Sequence, residues 1–151
     1  MVPARVVRQN ALGKAAAALK KIKNGRILSA DTIVYHGGKI IGKPKDRRGA
    51  EKILLSLQRT WHTVYTGVVF LEVKEKKVTK KILFHEKTRV KLKKMSLPQI
   101  RQYFCRVDPS DKAGAYAIQS WSGTIVEKVR GSFSNAVGLP MERLCAKMKK
   151  L

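Results

Sequence analysis

The sequence predicts an α/β protein, a mixed, twisted sheet flanked by helices, and three observations carry that prediction. Stretches with apolar residues at three- and four-residue spacing interleave with stretches that alternate or run unbroken, the signatures of helices and strands. The extended stretches at 61–73 and from 79 onward are separated by the polar turn KEKK at 74–77, which makes them an antiparallel hairpin among connections that otherwise pass through helices. No repeat, low-complexity tract or linker divides the chain, so a single domain is expected over 1–151.

The first helix is expected from Asn10 to Lys23, with Leu12, Ala15, Ala16, Leu19 and Ile22 as its buried stripe and Lys14, Lys20, Lys21 and Lys23 between them. Asn24 and Gly25 end it, and ILSADTIVY at 27–35 follows as a strand interrupted by Ser29, Asp31 and Thr32. His36, Gly37 and Gly38 turn the chain into the short strand KIIG, which ends at GKP, residues 42–44. A second helix carries Ala50, Ile53, Leu54 and Leu57. In WHTVYTGVVFLEV, 61–73, both alternating sets are apolar, as in a central strand covered on two sides. After the hairpin, Thr88, Val90 and Leu92 make a dry face while Arg89, Lys91 and Lys93 make a basic one. Ser96 and Gln99, with Pro98 between them, fit a capping box opening a helix with Ile100, Tyr103 and Phe104. TIVEKV at 124–129 reads as a strand, GSFS as a turn, and Pro140 as the first turn of a last helix with Met141, Leu144, Cys145 and Met148.

Composition narrows the function. With 151 residues, 44% of them hydrophobic, the chain can bury an ordinary core and is no disordered polybasic tail, despite 33 Lys and Arg against 10 Asp and Glu. The longest apolar runs, such as VVFL at 68–71, fall far short of the roughly 20 residues that cross a bilayer. Cys105 and Cys145 lack close-spaced partners, which excludes a disulfide framework or zinc knuckle and suits idle thiols in a reducing compartment, hence a cytoplasmic protein. His36, His62 and His85 have no metal-ligand spacing. The acid-free first thirty residues have the charge of a transit peptide, but their apolar spacing is better read as a helix of the domain.

Among the ten carboxylates, Asp31 stands apart. Most others sit in turns or beside lysines, where a solvated ion pair contributes at most about 1 kcal/mol. Asp31 is flanked by apolar residues in a strand, where an unpaired carboxylate costs several kcal/mol, so it is either a site residue or a structural hydrogen-bond acceptor. Lys14 and Lys43 lie near a helix start and a strand end. Several fixed cations around a carboxylate that can deprotonate water or hold a divalent ion are what a polyphosphate site requires.

SADTIV at 29–34 with GKP at 42–44, DKAGAYAIQ at 111–119 and GSFSNAVGLP at 131–140 resemble, in that order, the Maf family of nucleoside triphosphate pyrophosphatases. The resemblance extends through residues 11–15, HTVYTG at 62–67 and the Thr88 and Val90 alternation, so it covers nearly the whole chain. It implies a Maf/ITPase-like fold and hydrolysis of a nucleoside triphosphate between the α and β phosphates, with Mg2+ or Mn2+. It further implies that Asp31 accepts the proton of water and ligates the metal, and that Lys14 and Lys43 neutralise phosphate charge. Asp111 and Lys112 match the start of the third motif. Thr32 and Gln119 match the positions that select the base in the branch acting on dTTP and UTP, whereas the branch preferring methylated guanosine triphosphate lacks the AYAIQ ending. A homodimer is allowed, and no membrane is implicated.

Two departures accompany the resemblance. The family's first strand, its Ser-x-Ser-Pro-Arg-Arg loop and a following acidic pair have no counterpart before residues 1–15, so an N-terminally truncated chain of low activity is expected. Gln58 and Arg59 stand where Ser-Gly is common, which should weaken a turn. Two other readings compete: a degenerate relative that binds nucleotide or a division partner without catalysis, and a nucleic-acid binder built on the basic runs. The second predicts only non-specific nucleic-acid binding, because aromatics do not interleave with those runs.

Overall fold

The first helix opens with a proline at its first position, where a missing N–H and a fixed φ suit the helix. The computed structural model describes residues 2–119 and 125–151. Helix α1, Pro3–Leu19, starts well before the expected Asn10 and buries Pro3, Val7, Ala11 and Ala15 at four-residue spacing. Ala16 is exposed rather than part of the stripe. Strands β1 (Gly25–His36) and β2 (Lys39–Ile41), helix α2 (Arg47–Leu57), and strands β3 (Trp61–Lys74) and β4 (Lys77–Leu92) follow. Then come α3 (Leu97–Phe104), a short 3-10 turn (Ala113–Ala115), β5 (Val126–Arg130), α4 (Phe133–Val137) and α5 (Met141–Met148). The five strands are ordered β2-β1-β3-β4-β5. The β1–β2 and β4–β5 pairs are antiparallel, and an isolated parallel bridge joins Gln58 to Leu92. The α/β class, a sheet flanked by helices, is the one observed, while the strand pairing is antiparallel where a mixed sheet was expected. Thr124 of the expected last strand lies outside the described residues.

The fold divides into two compact units whose segments interleave along the chain. The first comprises Met1–Thr32, Tyr65–Lys87 and Ser134–Leu151. In it β3 is covered on both faces, as its unbroken apolar run requires. Val69, Leu71 and Val73 pack with Ala11, Ala15 and Ile27. Val68 and Phe70 turn the other way onto Ile82, Phe84 and Leu144. A Cβ at Gly67 would strike the Val7 carbonyl, so only glycine lets β3 and α1 approach this closely. Of the residues expected to line the last helix, Leu144 is buried while Met141, Cys145 and Met148 are exposed. Arg143 donates to the Glu86 carboxylate at 3.0 Å and holds this helix against β4 through an ion pair instead.

The second unit comprises Ile33–Val64 and Thr88–Phe133. Asp46 caps α2 by accepting from the Gly49 N–H at 2.7 Å. The expected capping box is present, with Ser96 and Gln99 each satisfying the other's backbone N–H. Arg101 of α3 donates to Glu51 of α2 at 2.8 Å. Thr88, Val90 and Leu92 are wholly buried, the dry face predicted for this strand. Cys105 and Cys145 are free and exposed. Among the described residues no helix is long and apolar enough to cross a membrane.

The Gln58–Arg59 substitution does not abolish its turn. Gln58 accepts from the Met95 N–H at 2.7 Å, and the Arg59 N–H bonds the Leu92 carbonyl. Arg59 does so at φ 62°, the left-handed region that a Cβ disfavours by about 1 kcal/mol or more. Arg59→Gly should therefore raise unfolding stability by about 0.5–1 kcal/mol, read from urea midpoints; a decrease would mean that the arginine side chain supports the turn.

Candidate active site

Alternation along β1 sorts its polar residues between two faces. Ser29 and Asp31 meet α1. The Ser29 hydroxyl donates to the Ala11 carbonyl at 2.8 Å, tying helix to strand. Asp31 then receives two donors from one helical face, four residues apart: Lys14 Nζ at 2.7 Å on Oδ1 and Asn10 Nδ2 at 2.8 Å on Oδ2. Lys14 also donates to the Ala30 carbonyl at 3.0 Å. The carboxylate's side chain is 17% exposed and the lysine's 56%, so the pair is anchored in the fold while remaining open to solvent. Each carboxylate oxygen retains a lone-pair direction for a further donor.

Thr32 projects to the opposite face. Thr66, wholly buried, donates to the Asn135 carbonyl at 3.1 Å and lies 3.0 Å from the Thr32 hydroxyl. Since the Thr66 proton is used there, Thr32 gives its one proton to Thr66, the nearer acceptor, in preference to the Gly138 carbonyl at 3.5 Å. Thr32 is thus left with lone pairs to offer a ligand. β2 pairs with β1 at Val34, Tyr35 and His36, so residues 29–32 lie beyond its ladder.

The second unit holds the other candidate residues. Lys43 is exposed just past β2, and the preceding Gly42 carbonyl accepts from the Gly114 N–H at 3.3 Å, which draws the GKP and DKAGA segments together. Lys112 donates to Asp111 at 2.6 Å and holds that carboxyl below its usual range. Ala115, Tyr116, Ala117 and Ile118 are all buried, and Gln119 is where this run becomes exposed. Two contacts fix the run. The Tyr103 hydroxyl bonds both the N–H and the carbonyl of Ala117, and His62 Nε2 shares a 2.7 Å hydrogen bond with the Tyr116 hydroxyl.

Sequence reasoning singled out neither Asn10 as a partner of Asp31 nor Thr66 as a partner of Thr32. Asn10 and Lys14 at helical i, i+4 spacing were the available signal for the first. His62, considered above only as a metal ligand, is a buried support for the AYAIQ run. Among the described residues no group of three or more His, Cys, Asp and Glu can hold a metal. Asp31 faces an ammonium and an amide, a donor set that steadies an anion, so these residues do not build a metal site of their own.

A family model described as Maf-like protein matches residues 1–151. Among similar proteins, one from Thermosipho melanesiensis, named dTTP/UTP pyrophosphatase, is 49% identical over 127 residues, 84% of this chain and 67% of that relative. Relatives of the same name from Pelotomaculum thermopropionicum and Dictyoglomus turgidum are 40% and 41% identical, over 99% and 94% of this chain and 77% and 72% of their own lengths.

Burial pushes the His62 imidazole down to about 4, with repulsion from His36 adding to it. Its Nδ1 is buried without a hydrogen-bond partner among the described residues. A base harder to protonate when folded contributes stability that is complete above its unfolded value near 6.5 and is lost as pH falls through the window toward 4. Wild-type protein should lose about 3 kcal/mol across that window from this group. His62→Gln should show a flatter stability–pH curve in urea titrations, and an equally steep curve would place the acid sensitivity elsewhere.

Proposed function

The chain belongs to the Maf-like family, and from that premise we propose that it is a nucleoside triphosphate pyrophosphatase acting on dTTP and UTP. The observation that carries the reading is the Asp31 carboxylate held by Lys14 and Asn10, in a chain whose relatives bear that activity in their names. In the reaction proposed, a water oxygen attacks the α phosphorus and the bond from that phosphorus to the bridging oxygen breaks. The water's proton passes to Asp31, and pyrophosphate leaves from the nucleoside monophosphate. Lys14, beside the carboxylate, fixes the base and places positive charge where the phosphate oxygens gather charge. Lys43 and Lys112 are assigned to phosphate neutralisation, with Asp111 orienting Lys112. A divalent cation, Mg2+ or Mn2+, would be brought by the triphosphate rather than held by the protein alone, and would supply further positive charge to the phosphates; the lone pair left on each Asp31 oxygen is what this chain would offer it. The reaction's substrate and product are nucleotides, for which a cytoplasmic setting is assigned.

Base selection is assigned to Thr32 and Gln119. A hydroxyl whose proton is committed to Thr66 can accept from the imide N–H of thymine or uracil, and an exposed amide supplies both donor and acceptor. A nucleotide straddling the 29–32 stretch of β1 would place its reacting phosphate near Asp31 and its base toward the face of Thr32.

Asp31→Asn keeps the shape and removes the base, so pyrophosphate release from dTTP should fall by about 10²- to 10⁴-fold. An unchanged rate would reduce Asp31 to a structural acceptor. Thr32→Val should lower kcat/KM for dTTP and UTP by roughly tenfold or more while sparing CTP, whose ring nitrogen carries no proton at that position; a uniform loss for all three would remove Thr32 from base selection.

A further inference from the structure

The β4–β5 ladder of the second unit places like charges directly opposite one another. Arg89 is paired with Arg130 and Lys91 with Lys128. Positions two apart share a face, so these four cations project together, and the Val90–Val129 pair between them turns to the other side. Directly opposed like charges weaken a sheet. Two features offset the repulsion within the unit: Glu127 bonds Lys91 at 3.1 Å, and the Arg89 and Arg130 guanidiniums lie over the Trp61 ring, 5.0 and 4.9 Å from its centroid. The cationic line then reaches Lys93, which lines a cavity of about 390 Å³ together with Lys94, Arg106, Met95, Tyr103 and Ile125.

We propose that this face binds single-stranded nucleic acid. Cations recurring every second strand residue are about 6.8 Å apart, comparable with the step between phosphates in an extended polynucleotide. A guanidinium offers a plane on which a base can stack and N–H edges for a phosphate, and the contact with Trp61 keeps both arginines on this face. The cavity, lined by both cationic and apolar side chains, has room for one base, and only an unstacked strand can deliver it. An anionic membrane fits less well, because Trp61 is half-buried and lies against two cations instead of standing free as an apolar anchor. The proposal is independent of the pyrophosphatase reading.

The test is fluorescence anisotropy with short labelled oligoadenylates, DNA and RNA, between about 50 and 200 mM salt. Arg89→Gln/Arg130→Gln is compared with the charge-matched Lys80→Gln/Lys81→Gln, which removes exposed lysines from the other end of β4. The expected result is single strand bound more tightly than the corresponding duplex. The arginine variant should bind roughly tenfold more weakly, with its log–log salt slope shallower by about 1.4, two phosphate contacts' worth. The lysine variant should stay near wild type. A thermal melt confirms folding, and Arg130→Gln alone, with half the slope change, serves if the double variant is unfolded. Equal losses in the two charge-matched variants would overturn the proposal, as would tighter binding of duplex or of phosphatidylserine vesicles.

Discussion

A carboxylate in the interior of a strand must be answered by donors, and the pairing of Asp31 with Lys14 and Asn10 is the constraint around which the first unit is arranged. It requires α1 to lie along β1 with residues 10 and 14 on the strand side. The same helical face sets Ala11 and Ala15 into the core and gives the Ala11 carbonyl to Ser29. Small residues make that approach possible: alanines on the helix, and Gly67 where β3 passes the Val7 carbonyl. A bulkier α1 would lift Lys14 away from the carboxylate and leave Asp31 as an unpaired anion, costly enough to displace the strand.

The second unit meets a comparable demand at the AYAIQ run. Four buried residues in a row have no regular strand to satisfy their backbone, and the Tyr103 hydroxyl does so for Ala117 from both sides. His62 and Tyr116 stack edge to face with 5.5 Å between centroids and complete the support. Burial raises both tyrosines' hydroxyls above their ordinary range, so they remain neutral hydrogen-bonding groups at any physiological pH. Gln119 emerges from this packed run, which gives an exposed amide a rigid base.

Features written locally were legible in the sequence. The Ser96–Gln99 capping box, the two-sided burial of β3 and the dry face of Thr88, Val90 and Leu92 need only neighbours in the chain, and all are observed. Asp31 was legible as an anomaly, because a charge among apolar strand residues demands a partner. Its partner Asn10 was not, since 21 residues separate them and the i, i+4 spacing of Asn10 and Lys14 points to Asp31 only once Lys14 is seen to meet it. The His62–Tyr116 bond spans 54 residues and was hidden for the same reason. The start of α1 was misplaced because Val2, the residue before it, makes no side-chain cap. The helix Phe133–Val137 is a single short turn in a Gly- and Ser-rich stretch, which reads as a loop. The stripe of the last helix was overdrawn because an ion pair from Arg143 supplies contact that periodicity attributes to Met141 and Met148.

In the proposed reaction, water activated at Asp31 attacks the α phosphorus of a pyrimidine nucleoside triphosphate. Turnover of dTTP in ¹⁸O-enriched water, with both products analysed by mass spectrometry, tests it directly. Attack at the α phosphorus puts label in the monophosphate and none in the released pyrophosphate. Label in pyrophosphate, or orthophosphate as the first product, would contradict it.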